Sequence, residues 1–208
     1  MNLGSSELPG SNRSRCSPRA PTLGPLEGCL LSAVHNATPN ATATTVRYTS
    51  LRSAVGTLYI AATARGISNL GMGRTERAFG REIARQHRAA VVRDDAGLAP
   101  LRRALQAYLN GERRRFDARL DLRRLTAFQR RVLQETARIP PGRLRSYGDI
   151  AERIGKPGAA RAVGQALGAN PIPILIPCHR VVAQDGPGGF TGGLRLKRAL
   201  LALEGVRL

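Results

Sequence analysis

The strongest constraint on the fold is a pair of helix-start signals in the second half of the chain. Thr126 is followed three residues later by Gln129, and Ser146 is followed three residues later by Asp149. At this spacing the two side chains cap each other's backbone amides, so each pair begins a helix. Because Pro140–Gly142 ends the first helical pattern, we predict two separate helices rather than one long one.

A third helix is predicted over 159–167, after a tight turn at 155–158. This is the helix-turn-helix pattern, although an ordinary helical hairpin has the same pattern. The predicted outward face of the third helix carries one long charged side chain, Arg161, among small residues. These small residues are Ala159, Ala162, Gly164 and Ala166. A reader of the major groove carries several long polar side chains, so this helix suits the minor groove better.

The chain divides into three parts by composition. Residues 1–44 are rich in Ser, Pro, Asn, Ala and Thr without apolar periodicity, and we expect a disordered tail. Residues 45–123 predict a small α/β domain with a structural role, and residues 124–208 predict a mostly helical domain with one buried strand. The predicted fold class is therefore α/β, with a small N-terminal α/β domain and a mostly helical C-terminal domain.

Within the predicted N-terminal domain, strand-like patterns occupy 46–48, 56–62, 67–70 and 115–120. The alternation with period two over Gly56–Ala62 is typical of a half-buried strand. Thr75 is predicted to cap a helix with Phe79 and Ile83 on its inward face. The inward face of a second helix carries Leu101, Leu105, Tyr108 and Leu109.

The net charge of +19 and the isoelectric point of about 11.6 favour a polyanionic partner. All of the 33 basic residues except Lys156 and Lys197 are arginines. Because GC-rich coding also produces such a skew, charge alone leaves DNA binding undecided. The sequence contains no run of 18 apolar residues and no signal-peptide core, so we expect no membrane span and a cytoplasmic protein.

The cysteines are few and contain no CxxC pair. This argues against a disulfide framework and for a reducing compartment. Cys16, Cys29, His35 and His87 could in principle bind zinc. Their spacing matches no known ligand pattern, so we expect no metal site.

The segment that carries chemistry is Ile174–Arg180. Residues 174–176 predict a buried strand, and Pro177 then gives a rigid approach to Cys178. Positive charge on His179 and Arg180 is expected to lower the pKa of the thiol, and the thiolate is the nucleophile. Neighbours in a strand point to opposite faces, so His179 needs a bridging water or a turn to act as its base. Glu204, after the last predicted helix, is the candidate that orients His179.

A buried structural cysteine beside a surface histidine is the alternative on this segment alone. However, Pro177–Val181 resembles the active-site signature of the O6-alkylguanine-DNA alkyltransferases (methylated-DNA–protein-cysteine methyltransferases). The resemblance continues in the family's order through Ser146-Tyr147, Ala160–Gly164, Asn170-Pro171, Gly192–Leu194 and Leu200–Gly205. It is strong over 124–205 and weak over 45–123, and several motifs in register make it specific.

The resemblance implies direct-reversal DNA repair. An alkyl group would move from O6-alkylguanine in duplex DNA to Cys178, once, irreversibly and without a cofactor. His179 would deprotonate the thiol through a water, and Glu204 would polarise His179. Tyr147 would donate a proton or hydrogen bond to the departing guanine, and Asn170 would brace the turn before the active-site strand.

The resemblance also implies how DNA is held. Arg161 would fill the gap that a flipped base leaves in the stack. The other expected DNA contacts are Tyr147, Ala160, Ala162 and Gly164. The expected partner is duplex DNA, bound through the minor groove by a monomer.

Contacts with the alkylated base are expected at Val181, Phe190 and Thr191. The family often has Tyr-Ser where Phe190 and Thr191 stand. Thr191 keeps a hydroxyl at the second position. The sequence does not fix which adducts this loop admits, or whether O4-alkylthymine is a substrate.

Three other functions compete with this interpretation. A non-catalytic module that recognises alkylated DNA would lack the acceptor, so Cys178 argues against it. A transcription regulator of the bifunctional type carries an extra cysteine-rich metal domain, and the tail here is poor in cysteine. A cysteine hydrolase needs a separate oxyanion site and a histidine that is not adjacent to the nucleophile, and the chain has only three histidines.

Overall fold

The computed structural model of the 208-residue chain describes residues 45–112 and 115–207. The predicted tail at 1–44, with Cys16, Cys29 and His35, lies outside the described residues. The N-terminal elements are β1 (Thr45–Ser53), β2 (Gly56–Thr63), β3 (Gly66–Met72), α1 (Glu76–His87), β4 (Ala90–Arg93) and α2 (Ala99–Leu109). The C-terminal elements are α3 (Ala127–Ala137), β5 (Arg145–Ser146), α4 (Tyr147–Arg153), α5 (Ala160–Gly168), β6 (Val181–Val182) and α6 (Gly193–Leu203).

The N-terminal part is a four-stranded sheet in the order β3-β2-β1-β4. β1 and β2 are antiparallel, as are β2 and β3, whereas β4 runs parallel to β1. The predicted half-burial of β2 is wrong, since every residue from Leu58 to Thr63 is buried. The reason is that both faces of the sheet are covered: Tyr59 and Ala61 pack beneath α1, and Leu58 and Ile60 join the main core.

The helix α1 begins where the sequence predicts. The side chain of Thr75 accepts a hydrogen bond from the amide of Ala78, which caps the helix. Phe79 and Ile83 are its buried residues, as predicted, and the ring of Phe79 stacks on Tyr59.

The main core lies on the opposite face of the sheet and joins the two parts of the chain. It includes Leu105 and Tyr108 of α2 together with apolar residues of α3, α4, α5 and α6. The amide of Leu70 in β3 also donates to the carbonyl of Pro171 at 2.7 Å. The sheet is therefore packed directly against the segment that leads to Cys178. No helix within the described ranges is long and apolar enough to cross a bilayer.

The strand predicted at 115–120 is wrong. Only Leu120 forms a bridge, with Ile67 of β3. Around this bridge Ile67 donates to the carbonyl of Arg119 at 2.8 Å and accepts from the amide of Asp121 at 2.7 Å. The buried carboxylate of Asp121 also accepts hydrogen bonds from Thr63 and from the guanidinium of Arg123. One bridge and the contacts of Asp121 thus stand where the alternation predicted a longer ladder.

Both capping boxes are confirmed. Thr126 and Gln129 cap each other at the start of α3, and Ser146 and Asp149 do so at the start of α4. The turn between α4 and α5 has positive φ at Gly155 and Gly158, of 67° and 82°. Glycine adopts this left-handed conformation without strain, which explains how the chain reverses between the two helices.

One residue of α5 was assigned to the wrong face. Ala166 is buried, with 4% exposure, because Val163, Ala166 and Leu167 form the stripe that packs on α3 and α4. The exposed residues of α5 are Arg161, Gln165 and Gly168, with Ala160, Ala162 and Gly164 partly exposed beside them. The outer face keeps its small residues and its single charge.

The strand predicted at 174–176 is also wrong, and so is the assignment of Cys178 to an active-site strand. The chain turns here, and Ile174 has a φ of 74°, which is strained for a β-branched residue. In the described part of the chain none of the strands β1 to β6 pairs with residues 174–176. Instead, the side chain of Asn170 accepts from the amide of Ile172 and donates to the carbonyl of Ile176. Residues Cys178–Arg180 then form a single-turn 3-10 helix before β6, which pairs with β5.

The capping box of α3 yields a stability prediction. We expect Thr126→Ala to lower the free energy of unfolding by about 1 kcal/mol, because the amide of Gln129 loses its acceptor. Urea denaturation of the whole chain measures the change. Thr126→Ser keeps a hydroxyl and should lose much less. A loss as large in Thr126→Ser as in Thr126→Ala would show that the capping bond is not the cause.

Candidate active site

Cys178 lies at the start of the 3-10 turn, where its side chain borders a cavity. The residue is buried, with 6% exposure. The cavity has a volume of about 170 Å³. Its wall is formed by Tyr147, Gly164, Leu167, Gly168, Cys178, Gly189, Phe190 and Thr191. The thiol is thus withdrawn from bulk solvent yet open to a small pocket beside α5.

The expectation of a lowered thiol pKa is wrong. Burial raises the pKa of Cys178, against the hydrogen bond from Asn170 and the positive charge of Lys197. The Nδ2 atom of Asn170 donates to Sγ at 3.1 Å. Arg180 does not act on the sulfur as predicted, because its charge is directed to Glu204.

His179 is oriented by Glu204, as predicted. Its Nε2 lies 3.0 Å from Oε1 of Glu204, and neither side chain is exposed to solvent. A carboxylate accepts only, so this contact places the ring proton on Nε2 and leaves Nδ1 as a proton acceptor. The Nδ1 atom is buried and has no hydrogen-bond partner among the described residues. Burial also lowers the pKa of His179, against the hydrogen bond to Glu204.

The carboxylate of Glu204 accepts from the side chains of His179, Arg180 and Tyr108 and, at 3.5 Å, from the amide of Gly142. Arg180 donates through Nε to Oε2 at 2.8 Å and through a terminal nitrogen to Oε1 at 2.7 Å. The hydroxyl of Tyr108 donates to Oε1 at 2.6 Å. Burial opposes ionisation of Glu204, but the hydrogen bonds from His179, Arg180 and Tyr108 outweigh it and hold the pKa of the carboxyl far below its usual range.

Lys197 is buried in α6 beneath the loop that borders the cavity. Its ammonium donates to the carbonyls of Val181 and Pro187 at 2.5 Å each and to that of Gly189 at 3.3 Å. Burial lowers the pKa of Lys197 to about 8, while interaction with Cys178 opposes this. The side chain therefore holds the 187–189 loop and supplies positive charge near the sulfur.

The cavity rim contains most of the residues predicted to contact an alkylated base. The hydroxyl of Tyr147 donates to the carbonyl of Gly189 at 3.4 Å, and burial raises its pKa. The hydroxyl of Thr191 donates to the carbonyl of Gly168 at 3.2 Å. The ring of Phe190 lies edge-on to that of His179, with centroids 6.4 Å apart.

Other predicted site residues lie away from the cavity. Val181 is fully buried. Its backbone carbonyl accepts a hydrogen bond from Lys197, and its side chain does not line the cavity. Arg161 is exposed on α5, as are parts of Ala160 and Ala162. Gly164 links the two regions, because a Cβ atom there would lie 3.8 Å from the ring of Tyr147. In the described ranges no cluster of three His, Cys, Asp or Glu residues could hold a metal, and His87 instead contacts Asn69 at 3.1 Å.

Two family models match the chain in succession. The model described as 6-O-methylguanine DNA methyltransferase, ribonuclease-like domain, matches residues 46–122. The model described as 6-O-methylguanine DNA methyltransferase, DNA binding domain, matches residues 127–206. The chain belongs to the 6-O-methylguanine DNA methyltransferase family. The matched ranges include every residue of the cavity wall and of the Glu204 network.

Named relatives and solved structures agree with membership of the 6-O-methylguanine DNA methyltransferase family. The methylated-DNA–protein-cysteine methyltransferase of Mycobacterium tuberculosis is 44% identical over 163 residues, which are 78% of this chain and 94% of that protein. The inducible enzyme of the same name from Bacillus subtilis is 40% identical over 70% of this chain and 83% of its own. The crystal structure of Mycobacterium tuberculosis OGT in complex with DNA has a TM-score of 0.65 and 42% identity, covering 77% of this chain and 92% of that one.

Two residues of this 6-O-methylguanine DNA methyltransferase site were missed from the sequence. Tyr108 was assigned only to the inward face of α2, since the periodicity reports burial and not the partner of a hydroxyl. Lys197 had a usable signal, because it precedes Leu200 and Leu201 at helical spacing and so falls on the buried face of α6. A lysine placed there needs acceptors, and the sequence does not say that they are carbonyls of the loop.

The position of Tyr108 predicts that the N-terminal helix α2 stabilises the site. We expect Tyr108→Phe to lower the free energy of unfolding by about 1.5–3 kcal/mol, because Glu204 loses a buried donor while the ring still packs on Phe116. Tyr59→Phe is the matched control, since the hydroxyl of Tyr59 has no hydrogen bond to any described residue. Equal losses in the two variants, measured by urea denaturation, would contradict a specific role of the Tyr108 hydroxyl.

Proposed function

We propose that the chain repairs alkylated duplex DNA by moving an alkyl group from O6 of guanine to Sγ of Cys178, in a single turnover. Membership of a DNA methyltransferase family gives the enzyme class and its DNA-binding role. The observation that carries the finer proposal is that the thiol of Cys178 borders a cavity while its neighbour His179 keeps a proton acceptor free. Sites for drug-sized ligands measure about 300–1,000 Å³. A cavity of about 170 Å³ is suited to one extruded base.

The first chemical step is removal of the thiol proton. Because burial raises the pKa of Cys178, the sulfur is a neutral thiol before substrate binds. Nδ1 of His179 accepts the proton through a water, and Glu204 stabilises the imidazolium that forms. The amide of Asn170 and the ammonium of Lys197 favour the thiolate.

The second step is displacement at the alkyl carbon. The bond from sulfur to carbon forms as the bond from O6 to carbon breaks, and the electron pair leaves with guanine. Tyr147 is placed at the rim of the cavity and stays protonated because burial raises its pKa. Its hydroxyl donates a hydrogen bond or proton to the departing base. The thioether on Cys178 has no internal route back to a thiol, so each molecule acts once.

Binding places the duplex against α5. The target oxygen lies on a base edge inside the stack, so the nucleotide flips out at a cost of a few kcal/mol. The small residues Ala160, Ala162 and Gly164 allow the backbone of α5 to approach the minor groove closely. The exposed Arg161 enters the stack and offsets part of the flipping cost. The protein acts as a monomer, with its acceptor domain at 124–208 and its N-terminal domain at 45–123.

The loop that carries Phe190 and Thr191 sets which adducts are accepted. The hydroxyl of Thr191 donates to the carbonyl of Gly168 at the end of α5, so a hydrogen bond connects this loop to the DNA-binding helix. Larger adducts and O4-alkylthymine are accepted only if this loop can shift to make room for them. Val181 contributes through the carbonyl that anchors Lys197 rather than through its side chain.

The transfer itself is tested by mass spectrometry. Incubation of the whole chain with duplex DNA that contains O6-methylguanine should add one methyl group to the peptide with Cys178 and to no other. Cys16 and Cys29 serve as internal controls, and Cys178→Ser should remain unlabelled. Label on either of the other cysteines, or more than one equivalent of repaired base per protein, would contradict single transfer to Cys178.

The flipping role of Arg161 is tested by comparing two substrates. Arg161→Ala should slow methyl transfer from duplex DNA by roughly tenfold or more, because the arginine no longer offsets part of the flipping cost. A tenfold change in rate corresponds to about 1.4 kcal/mol. Reaction with the free O6-methylguanine base should be unchanged, because that base needs no extrusion. Arg103→Ala, an exposed arginine of α2, is the control. Equal slowing on duplex and free base would remove the role in flipping.

A further inference from the structure

The outer face of α1 carries a stripe of arginines, which we call the α1 stripe: Arg77, Arg81, Arg85 and Arg88. The first three recur every four residues, and Arg88 follows as the C-cap, so all four lie on one side of the helix. All four are exposed. At 1.5 Å per residue the stripe is about 16 Å long.

No described acidic side chain neutralises this stripe. The two acids of α1 are directed to other partners: Glu76 binds Tyr48 and Arg93, and Glu82 binds Arg74 and Gln86. None of the four stripe arginines forms an ion pair with a described residue. Arg124 acts on His87 and so adds positive charge past the end of α1, whereas Arg123 beside it is paired with Asp121.

The stripe is unfavourable for the helix that carries it. Like charges four residues apart repel each other and destabilise a helix. Arg77, in the first turn, also faces the positive end of the helix dipole, whereas Arg85, in the last turn, is favourably placed. The arrangement is therefore not explained by the stability of α1, whereas a bound polyanion would relieve both repulsions.

The location of the stripe separates it from the proposed repair site. α1 covers one face of the sheet through Tyr59, Ala61 and Phe79. The C-terminal helices and Cys178 belong to the core on the other face. A duplex that lies along α5 is thus on the far side of the sheet from the α1 stripe.

We propose that the α1 stripe is a second DNA-binding surface, which grips the phosphates of a DNA segment other than the one at the cysteine cavity. Duplex DNA presents one phosphate per strand about every 3.4 Å along its axis, so a stripe about 16 Å long lies within reach of several phosphates. The side chains contact no base edges in this mode, and binding is independent of sequence and of damage. The protein then holds two segments at once.

Salt dependence of binding to undamaged duplex DNA tests the surface without involving alkyl transfer. We compare the whole wild-type chain with the double variant Arg81→Gln, Arg85→Gln. Each lost phosphate contact lowers the slope of log affinity against log salt by about 0.9, so we expect a decrease of about 2. Transfer from the free O6-methylguanine base should stay at the wild-type rate, which shows that the fold is intact and separates this result from a failure of the repair proposal.

The matched control removes the same charge elsewhere. Arg52 and Arg103 are exposed, have no ion pair with a described residue and lie on β1 and α2, outside the stripe. The variant Arg52→Gln, Arg103→Gln should keep the wild-type slope. If both double variants lower the slope equally, or neither does, the arginines act only through net charge or not at all, and the proposal is overturned.

A capture assay tests the second segment. A duplex fixed to beads is loaded with protein at low salt, washed, and offered a labelled duplex. Wild-type protein should retain the labelled duplex, and the stripe variant should lose most of that retention while the Arg52, Arg103 control keeps it. Absence of retention by the wild type, together with a reduced slope in the stripe variant, would contradict the two-segment arrangement.

Discussion

The buried carboxylate of Glu204 is the group on which the site depends. It accepts hydrogen bonds from His179, Arg180 and Tyr108, which come from the active-site turn and from an N-terminal helix. A buried charge is tolerated only when its partners outweigh the loss of water, and removal of one partner leaves the rest uncompensated. The low pKa of Glu204 means that its stabilising charge is present at neutral pH and is lost as pH falls through that low value.

This carboxylate also explains why both parts of the chain are needed to form one site. Tyr108 reaches it from α2, and the backbone of Leu70 supports Pro171, just after the residue that contacts the sulfur. The N-terminal part had been interpreted as a structural cover. In the fold it supplies a donor to the network that sets the proton position on His179.

The features that could be predicted from the sequence are those with a local cause. Capping boxes, the glycine turn between α4 and α5, and the inward residues of α1 depend on neighbouring residues, and all of these were found. The grouping of Cys178, His179 and Glu204 in one site was predicted from the order and spacing of the motifs that resemble the family. The limits of the two domains, at 123 and 124, stay a prediction.

The features that could not be predicted depend on partners distant in sequence. Residues 174–176 have the composition of a strand, but the side chain of Asn170 supplies the hydrogen bonds that a neighbouring strand would have given. The sequence predicts a lowered thiol pKa because Arg180 lies two residues from Cys178 along the chain. In space Arg180 is neutralised by Glu204, and burial dominates at Cys178.

The amide group of Asn170 connects two properties that are usually considered separately. It restrains the loop in which Ile174 is held in a left-handed conformation, and the same Nδ2 atom touches Sγ of Cys178. A charged sulfur attracts that N–H more strongly than a neutral one does. The ionisation state of the nucleophile therefore bears on how strongly Asn170, the side chain that restrains this loop, is itself held.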